Sequence, residues 1–415
     1  MVLLVAAPQP LGAQKYLPKT IQFKGAPEYS EQELLAASGL KKGKVLDFAE
    51  MSGHSQKLMD TGLFETLSFK FDGVDLIYTL VLHTELFPVR LENLPLASGK
   101  ELDEALHERF PLYHGKVPAE GGLAEQVRQA LEEMLEARGI KATVEAMPYT
   151  DEKLARVTAI SYIITNPPVR VGEIHLEGVA APPEPKITEI LARLTESAYD
   201  VEGSPAQIET NLGNYYREMG YLEAAIHAAP AAPVIAPEAV HIPFQVSITP
   251  GQKYKLTGIK LAPDLLVTQA DFDRQTRIHL GEIADGTRMR EDWLLIEGQY
   301  HNKGYMRAAL HPTASYDRAQ GTVSFTVSVE PGPVYSMGRL IIENSAADLR
   351  AAMLAAWKLP AGAVFNESAI TSYYKFQDDK TPLGRTFASA NCIYELTLND
   401  DTRTVNVTLR VEKKQ

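Results

Sequence analysis

Residues 214–227 read NYYREMGYLEAAIH, and residues 298–311 read GQYHNKGYMRAALH. The shared phrase GY-x-x-AA-[IL]-H recurs at a glycine spacing of 84 residues, with a tyrosine four residues before each glycine. Self-similarity at such a period marks a structural unit laid down more than once, and it governs the reading of every local motif. Relaxing the phrase to apolar-x-x-x-Gly-apolar finds two earlier copies, Leu58/Gly62/Leu63 and Leu135/Gly139/Ile140, ahead of Tyr216/Gly220/Tyr221 and Tyr300/Gly304/Tyr305. The glycines fall 77, 81 and 84 residues apart.

Each copy closes a helical pattern. Before Gly139, the apolar residues Leu123, Val127, Leu131, Met134 and Leu135 recur at spacings of three and four, which predicts an amphipathic helix. A glycine at its end supplies the left-handed residue that stops a helix at least steric cost. Gly62, Gly139, Gly220 with Tyr221, and Gly304 with Tyr305 are therefore read as structural junctions between a helix and a strand. After the last two, alternation places Leu222, Ala224 and Ile226, and likewise Met306, Ala308 and Leu310, on one strand face. Glu223, Ala225 and His227, and Arg307, Ala309 and His311, fall on the other. A second alternating run, 242–251 and again 323–332, completes a hairpin.

A third signature opens the units. Val169/Val171/Ile174/Leu176, Tyr254/Leu256/Ile259/Leu261 and Tyr335/Met337/Leu340/Ile342 share offsets of 0, 2, 5 and 7, which predicts a strand carrying a one-residue phase shift, as at a bulge. Helical stretches at 30–40, 187–194 and 347–357 follow. The turn Leu40-x-x-Gly43-x-x-Leu46-Asp47, echoed at Leu359, Gly362, Phe365 and Asn366, makes Asp47 and Asn366 candidate N-caps of a second helix.

The expected fold is thus α+β, a tandem array of five β-α-α-β-β modules. Each is a three-stranded mixed sheet covered by two helices, spanning 15–86, 87–166, 167–250, 251–331 and 332–415. The fifth diverges: after 368–376 no Gly-aromatic pair stands at the expected offset, and 377–390 reads as an insertion before the last hairpin. Residues 1–14, with an apolar run at 2–7 and Leu11-Gly12-Ala13 after two prolines, resemble the remnant of a signal peptide, an irregular N-terminus being the alternative.

Element order, glycine-aromatic junction and tandem arrangement together resemble POTRA (polypeptide-transport-associated) domains, as in the periplasmic part of the BamA-type outer-membrane assembly factors. The resemblance covers nearly everything after residue 15. It implies a non-enzymatic scaffold in the periplasm, associated with the outer membrane. Its partners would be unfolded outer-membrane proteins or extended peptides, with periplasmic or outer-membrane proteins beside them. Family members that insert proteins continue into a barrel, and no alternating series follows Gln415, which reads as a barrel-less relative or one piece of a larger protein. A module of two-partner secretion or another export system is the alternative within the same class. An exported hydrolase is the alternative from another class, and a single deep polar cleft would mark it.

Composition narrows the partners further. A net charge of -12 over 415 residues, with no block of like charges, argues against nucleic acid. The single Cys392 excludes an intrachain disulfide framework and any multi-cysteine zinc site. No catalytic, cofactor or metal constellation is legible, and the ten histidines show no H-E-x-x-H or similar spacing. His227 and His311 recur because the strand recurs. Gly39-Leu-Lys-Lys-Gly43-Lys44 lacks the spacing and the hydroxyl residue of a phosphate loop. Tyr216, Tyr221, Tyr300 and Tyr305 read as hinge packing. The candidate client-binding edges are Leu222–His227 and Met306–His311, with 66–71 and 142–146 behind them, provided that the second hairpin strand lies in the middle of each sheet. Exposed edges are commonly blunted by charge, a role open to Glu223 and Arg307.

Overall fold

Helical runs end where the glycines predict, whereas the strands after Gly220 and Gly304 open three residues later than the alternation, at Ala225 and Ala309. The structure, a computed structural model, describes residues 15–96, 99–151, 156–178, 184–375, 384 and 390–413. The expected leader at 1–14 and most of the expected insertion at 377–390 lie outside them.

Five sets follow the order strand, helix, helix, strand, strand. The opening strands are Thr20–Lys24, Leu86–Leu91, Val169–Glu177, Lys255–Leu261 and Ser336–Glu343. The hairpins are Phe64–Phe71 with Asp75–Leu82, Thr143–Asp151 with Arg156–Asn166, Ala225–Pro230 with Val240–Thr249, Ala309–Asp317 with Thr322–Glu330, and Ala390–Asn399 with Thr404–Lys413. In the main sheet of each set the second hairpin strand lies inside, parallel to the opening strand where registers pair, and the first hairpin strand stands at the far side; the sheets of the second and third sets have four strands instead of the expected three, adding 116–118 and 234–235. The phase shifts of the opening strands are real register shifts, at Val171/Ile174, Leu256/Gly258 and Met337/Leu340.

Local chemistry explains the elements. The helix Gly122–Glu136 buries Leu123, Ala124, Val127, Ala130, Leu131 and Leu135, one stripe at helical period. Each fully buried leucine or valine of such a stripe contributes roughly 1.5–3 kcal/mol. Asp47 caps the helix Phe48–Met59 with a full capping box, its carboxylate accepting from the Glu50 amide at 2.8 Å. Asn366 Oδ1 accepts from the Ser368 amide at 3.0 Å. Gly62, Gly139, Gly220 and Gly304 all have φ between 77° and 88°, the left-handed conformation their role requires.

The interhelix turn touches the opening strand in the second to fifth sets, and the segment just ahead of it in the first. It makes a bridge at Arg170/Ala198, Lys255/Ile283 and Ser336/Val364, a three-residue ladder at 116–118 against 86–88, and in the first set the pair 15–16 with 46–47.

The chain divides into two compact units. One holds residues up to Asn211 together with His227–Ile248, and the other holds Leu212–Ile226 with everything from Thr249 onward. The third set is shared between them, so the compact units do not follow the sequence periods one by one.

Candidate functional site: sheet edges and the junctions beside them

An edge strand offers a row of unpaired N–H and C=O groups, and its fitness to accept another strand depends on what interrupts that row. Because the interhelix turn meets the opening strand at its start in the second to fifth sets, the more open side of those sheets is the first hairpin strand. Three of these five strands contain a proline: Pro148, Pro230 and Pro312. Proline in an edge strand sits where its missing N–H would point away from the ladder, so each leaves a gap in the outward donors. Phe64–Phe71 and Ala390–Asn399 have none. The second runs for ten residues and exposes Ile393 and Tyr394, about half accessible at 51% and 45%.

The edges expected from sequence begin later than alternation suggests. The strands open at Ala225 and Ala309, so Ala225–His227 and Ala309–His311 lie on them, whereas Leu222–Ala224 and Met306–Ala308 lie in the preceding turn. That turn is closed by Ala224 N–H to Tyr221 O at 3.2 Å and Ala308 N–H to Tyr305 O at 3.1 Å. Its side chains serve the next set along the chain. Met306 is buried in the core of the fifth set with Tyr335, Met337, Met353 and Phe365. Leu222 packs in the same way against Tyr254, Leu256 and Met289 of the fourth. Ala308 is buried in the core of its own set.

The two junctions match atom for atom on the backbone. Gly220 O accepts from Tyr254 N at 3.0 Å, and Gly304 O accepts from Tyr335 N at 2.8 Å. A Cβ on Gly304 would meet Tyr335 O at 2.8 Å and Val364 Cγ1 at 2.8 Å, while one on Gly220 would meet Ile283 Cγ2 at 2.6 Å. The glycines therefore do more than end helices: they admit the neighbouring set's opening strand and interhelix turn. The tyrosines pack as hinges, Tyr216 against Tyr221 at 5.8 Å and Tyr300 against Tyr305 at 6.0 Å, both edge to face.

Each of these two junctions carries an acid, a tyrosine and an arginine in contact. The Tyr254 hydroxyl donates to Glu223, and Arg318 Nη2 lies 2.6 Å from the same carboxylate. At the next junction the Tyr335 hydroxyl donates to Asp400, which Arg307 Nη2 reaches at 2.9 Å. The tyrosine hydrogen bond first, and the arginine second, hold both carboxyls below their usual range. Glu223 and Arg307 are thus latch residues and not free gatekeepers of an edge. His227 is largely exposed beside Glu209 at 3.4 Å, and His311 is exposed on a different sheet.

No family model matches the chain. A curated protein of Treponema pallidum (strain Nichols), named "Putative outer membrane protein assembly factor", is 20% identical over 207 residues, 48% of this chain. The aligned stretch spans 25% of that relative's length. Among solved structures, POTRA3-5 of BamA from Haemophilus influenzae aligns with a TM-score of 0.46 at 14% identity, over 59% of this chain and 96% of that one. The N-terminal domain of Omp85 from Thermosynechococcus elongatus aligns at 16% identity with a TM-score of 0.23, over 60% of this chain and 99% of that chain. Among the described residues, no helix is long and apolar enough to cross a membrane, which says nothing of strands.

Proposed function

We propose that the chain is a non-enzymatic periplasmic scaffold, each of its five sets one POTRA-like domain, whose open sheet edges accept a further strand from extended clients such as unfolded outer-membrane proteins. One observation carries the reading: among the described residues, the first hairpin strand of every set is paired on one side only, by the central strand. Pairing by main-chain hydrogen bonds suits a scaffold that handles many sequences, because the backbone is common to all of them. The setting, outer-membrane assembly, follows the name of the Treponema relative. The proline-free edge Ala390–Asn399 is the foremost client site, with Phe64–Phe71 second, and Ala225–His227 and Ala309–His311 contribute shorter stretches that precede a proline.

The test is hydrogen exchange on the full chain with and without a ten-residue peptide of alternating apolar and polar residues. Slowed exchange is expected in 390–399, persisting when the peptide's apolar side chains are permuted among themselves and vanishing when alternate residues are proline. Protection confined to helices, or dependent on one peptide sequence, would remove the augmentation reading.

A further inference from the structure

Three potential ligand atoms from two sets meet in the first compact unit. Glu33 stands in the first turn of the helix Glu31–Ser38, His107 in the helix Lys100–Arg109, and His114 in the loop that follows it. Glu33 Oε1 lies 2.9 Å from His114 Nε2 and 3.7 Å from His107 Nε2, and the three ligand atoms fall within 4.8 Å of one another. We propose that Glu33, His107 and His114 form a binding site for a divalent transition cation of the zinc class, fastening the first set to the second.

The hydrogen bonds around the cluster orient it for that task. His107 Nδ1 is 2.9 Å from the Tyr113 carbonyl oxygen, which only accepts, so Nδ1 carries the ring proton. In neutral His107 the Nε2 lone pair then faces Glu33 Oε1, an acceptor opposite an acceptor. A cation shared between the two satisfies such a pair. A backbone carbonyl holding the far nitrogen is also the usual support of a metal-ligating histidine. Glu33 Oε2 is fixed by the Ser30 amide at 2.6 Å, which leaves Oε1 turned toward the two imidazoles.

Spacing and donor type select the cation. Zinc bonds of about 2.0–2.1 Å to nitrogen and oxygen put tetrahedral ligand atoms about 3.3 Å apart. The two separations from Glu33 straddle that value. Two imidazoles and one carboxylate suit zinc, nickel or copper and not calcium or magnesium, which prefer oxygen. The His107 and His114 side chains are 46% and 38% exposed, so water can complete the shell.

The experiment titrates the full chain with Zn2+ by calorimetry, beside Glu33→Gln, His114→Gln and the remote control His227→Gln. Glutamine at position 33 keeps the helix capping box while removing the charge, so the fold survives the test. One zinc per chain is expected. Affinity should fall at least about 10-fold in E33Q and H114Q, since loss of outer-shell support alone costs 10–100-fold, and should be unchanged in H227Q. X-ray absorption at the zinc edge of the unmutated protein should count two imidazoles. Absence of stoichiometric binding, undiminished binding in E33Q and H114Q, or a spectrum without two imidazoles would each overturn the assignment.

Discussion

Arg307 Nη2 lies 2.9 Å from Asp400 Oδ2, and it occupies the position, three residues after the junction glycine, that Glu223 holds one set earlier. Glu223 in turn lies 2.6 Å from Arg318 Nη2, so the two junctions carry the same ion pair with its charges exchanged. Geometry is retained while polarity is reversed, with a buried tyrosine donating to the acid each time. Val169 stands where Tyr254 and Tyr335 stand, so the third set's opening strand has no hydroxyl for such a latch.

Reversing Glu223→Arg is expected to lower the unfolding midpoint, and the double variant Glu223→Arg with Arg318→Glu to recover most of the loss. The arginine is largely exposed, so the effect should shrink in about 1 M salt, where the screening length is about 3 Å. Denaturation of the four proteins of a double-mutant cycle at low and high salt measures it. Additive losses would mean that the pair does not couple.

Two glycines six residues apart separate geometry from propensity. Gly304→Ala places a side chain at φ 84° with its Cβ against Tyr335 O, and a loss of about 1–3 kcal/mol is expected from backbone strain alone. Gly298→Ala lies inside the helix Gly286–His301 with no foreign atom within 4 Å of the new Cβ, and a gain of up to about 1 kcal/mol is expected. Urea unfolding of both variants decides it, opposite signs being the expected outcome.

Much of this architecture was readable because it is local. Helical period before Gly139, left-handed glycines, and the offset pattern around Val171, Leu256 and Met337 each act within a few residues. Even the edge prolines are visible in the chain. What alternation could not separate was strand from turn: Leu222 and Met306 keep the period, yet they point into the next set's core. Only tertiary packing distinguishes those cases. Glu33 and His107 lie far apart in sequence, with no spacing rule to join them, because their meeting depends on how one set docks on another.

A pH dependence is expected at the last junction. His301 Nδ1 lies 2.8 Å from Glu367 Oε2, and that hydrogen bond, partly opposed by burial, raises the histidine above its ordinary value. A raised value in the folded state means stability fully present below the unfolded value of about 6.5, and lost as pH rises through the folded one. The difference in unfolding midpoint between the unmutated protein and His301→Gln should therefore be largest at acidic pH and narrow above neutrality. A constant difference from pH 5 to 9 would show that the pair does not titrate in this window.

Met306 belongs by sequence to the fourth set and by packing to the fifth, where it is 9% exposed among Tyr335, Met337 and Phe365. Truncating a buried methionine costs about 2–5 kcal/mol through lost transfer energy and the cavity left behind. The location of the damage is the sharper prediction, since the side chain is anchored in one set and inserted in the other. Met306→Ala should speed hydrogen exchange in Ser336–Glu343 and Thr404–Lys413 more than in Thr322–Glu330, the central strand of its own sheet. Leu222→Ala should act likewise on Lys255–Leu261, to a smaller degree because Leu222 is only partly buried. Faster exchange confined to the strand that follows each mutated turn would instead assign these side chains to their own sets.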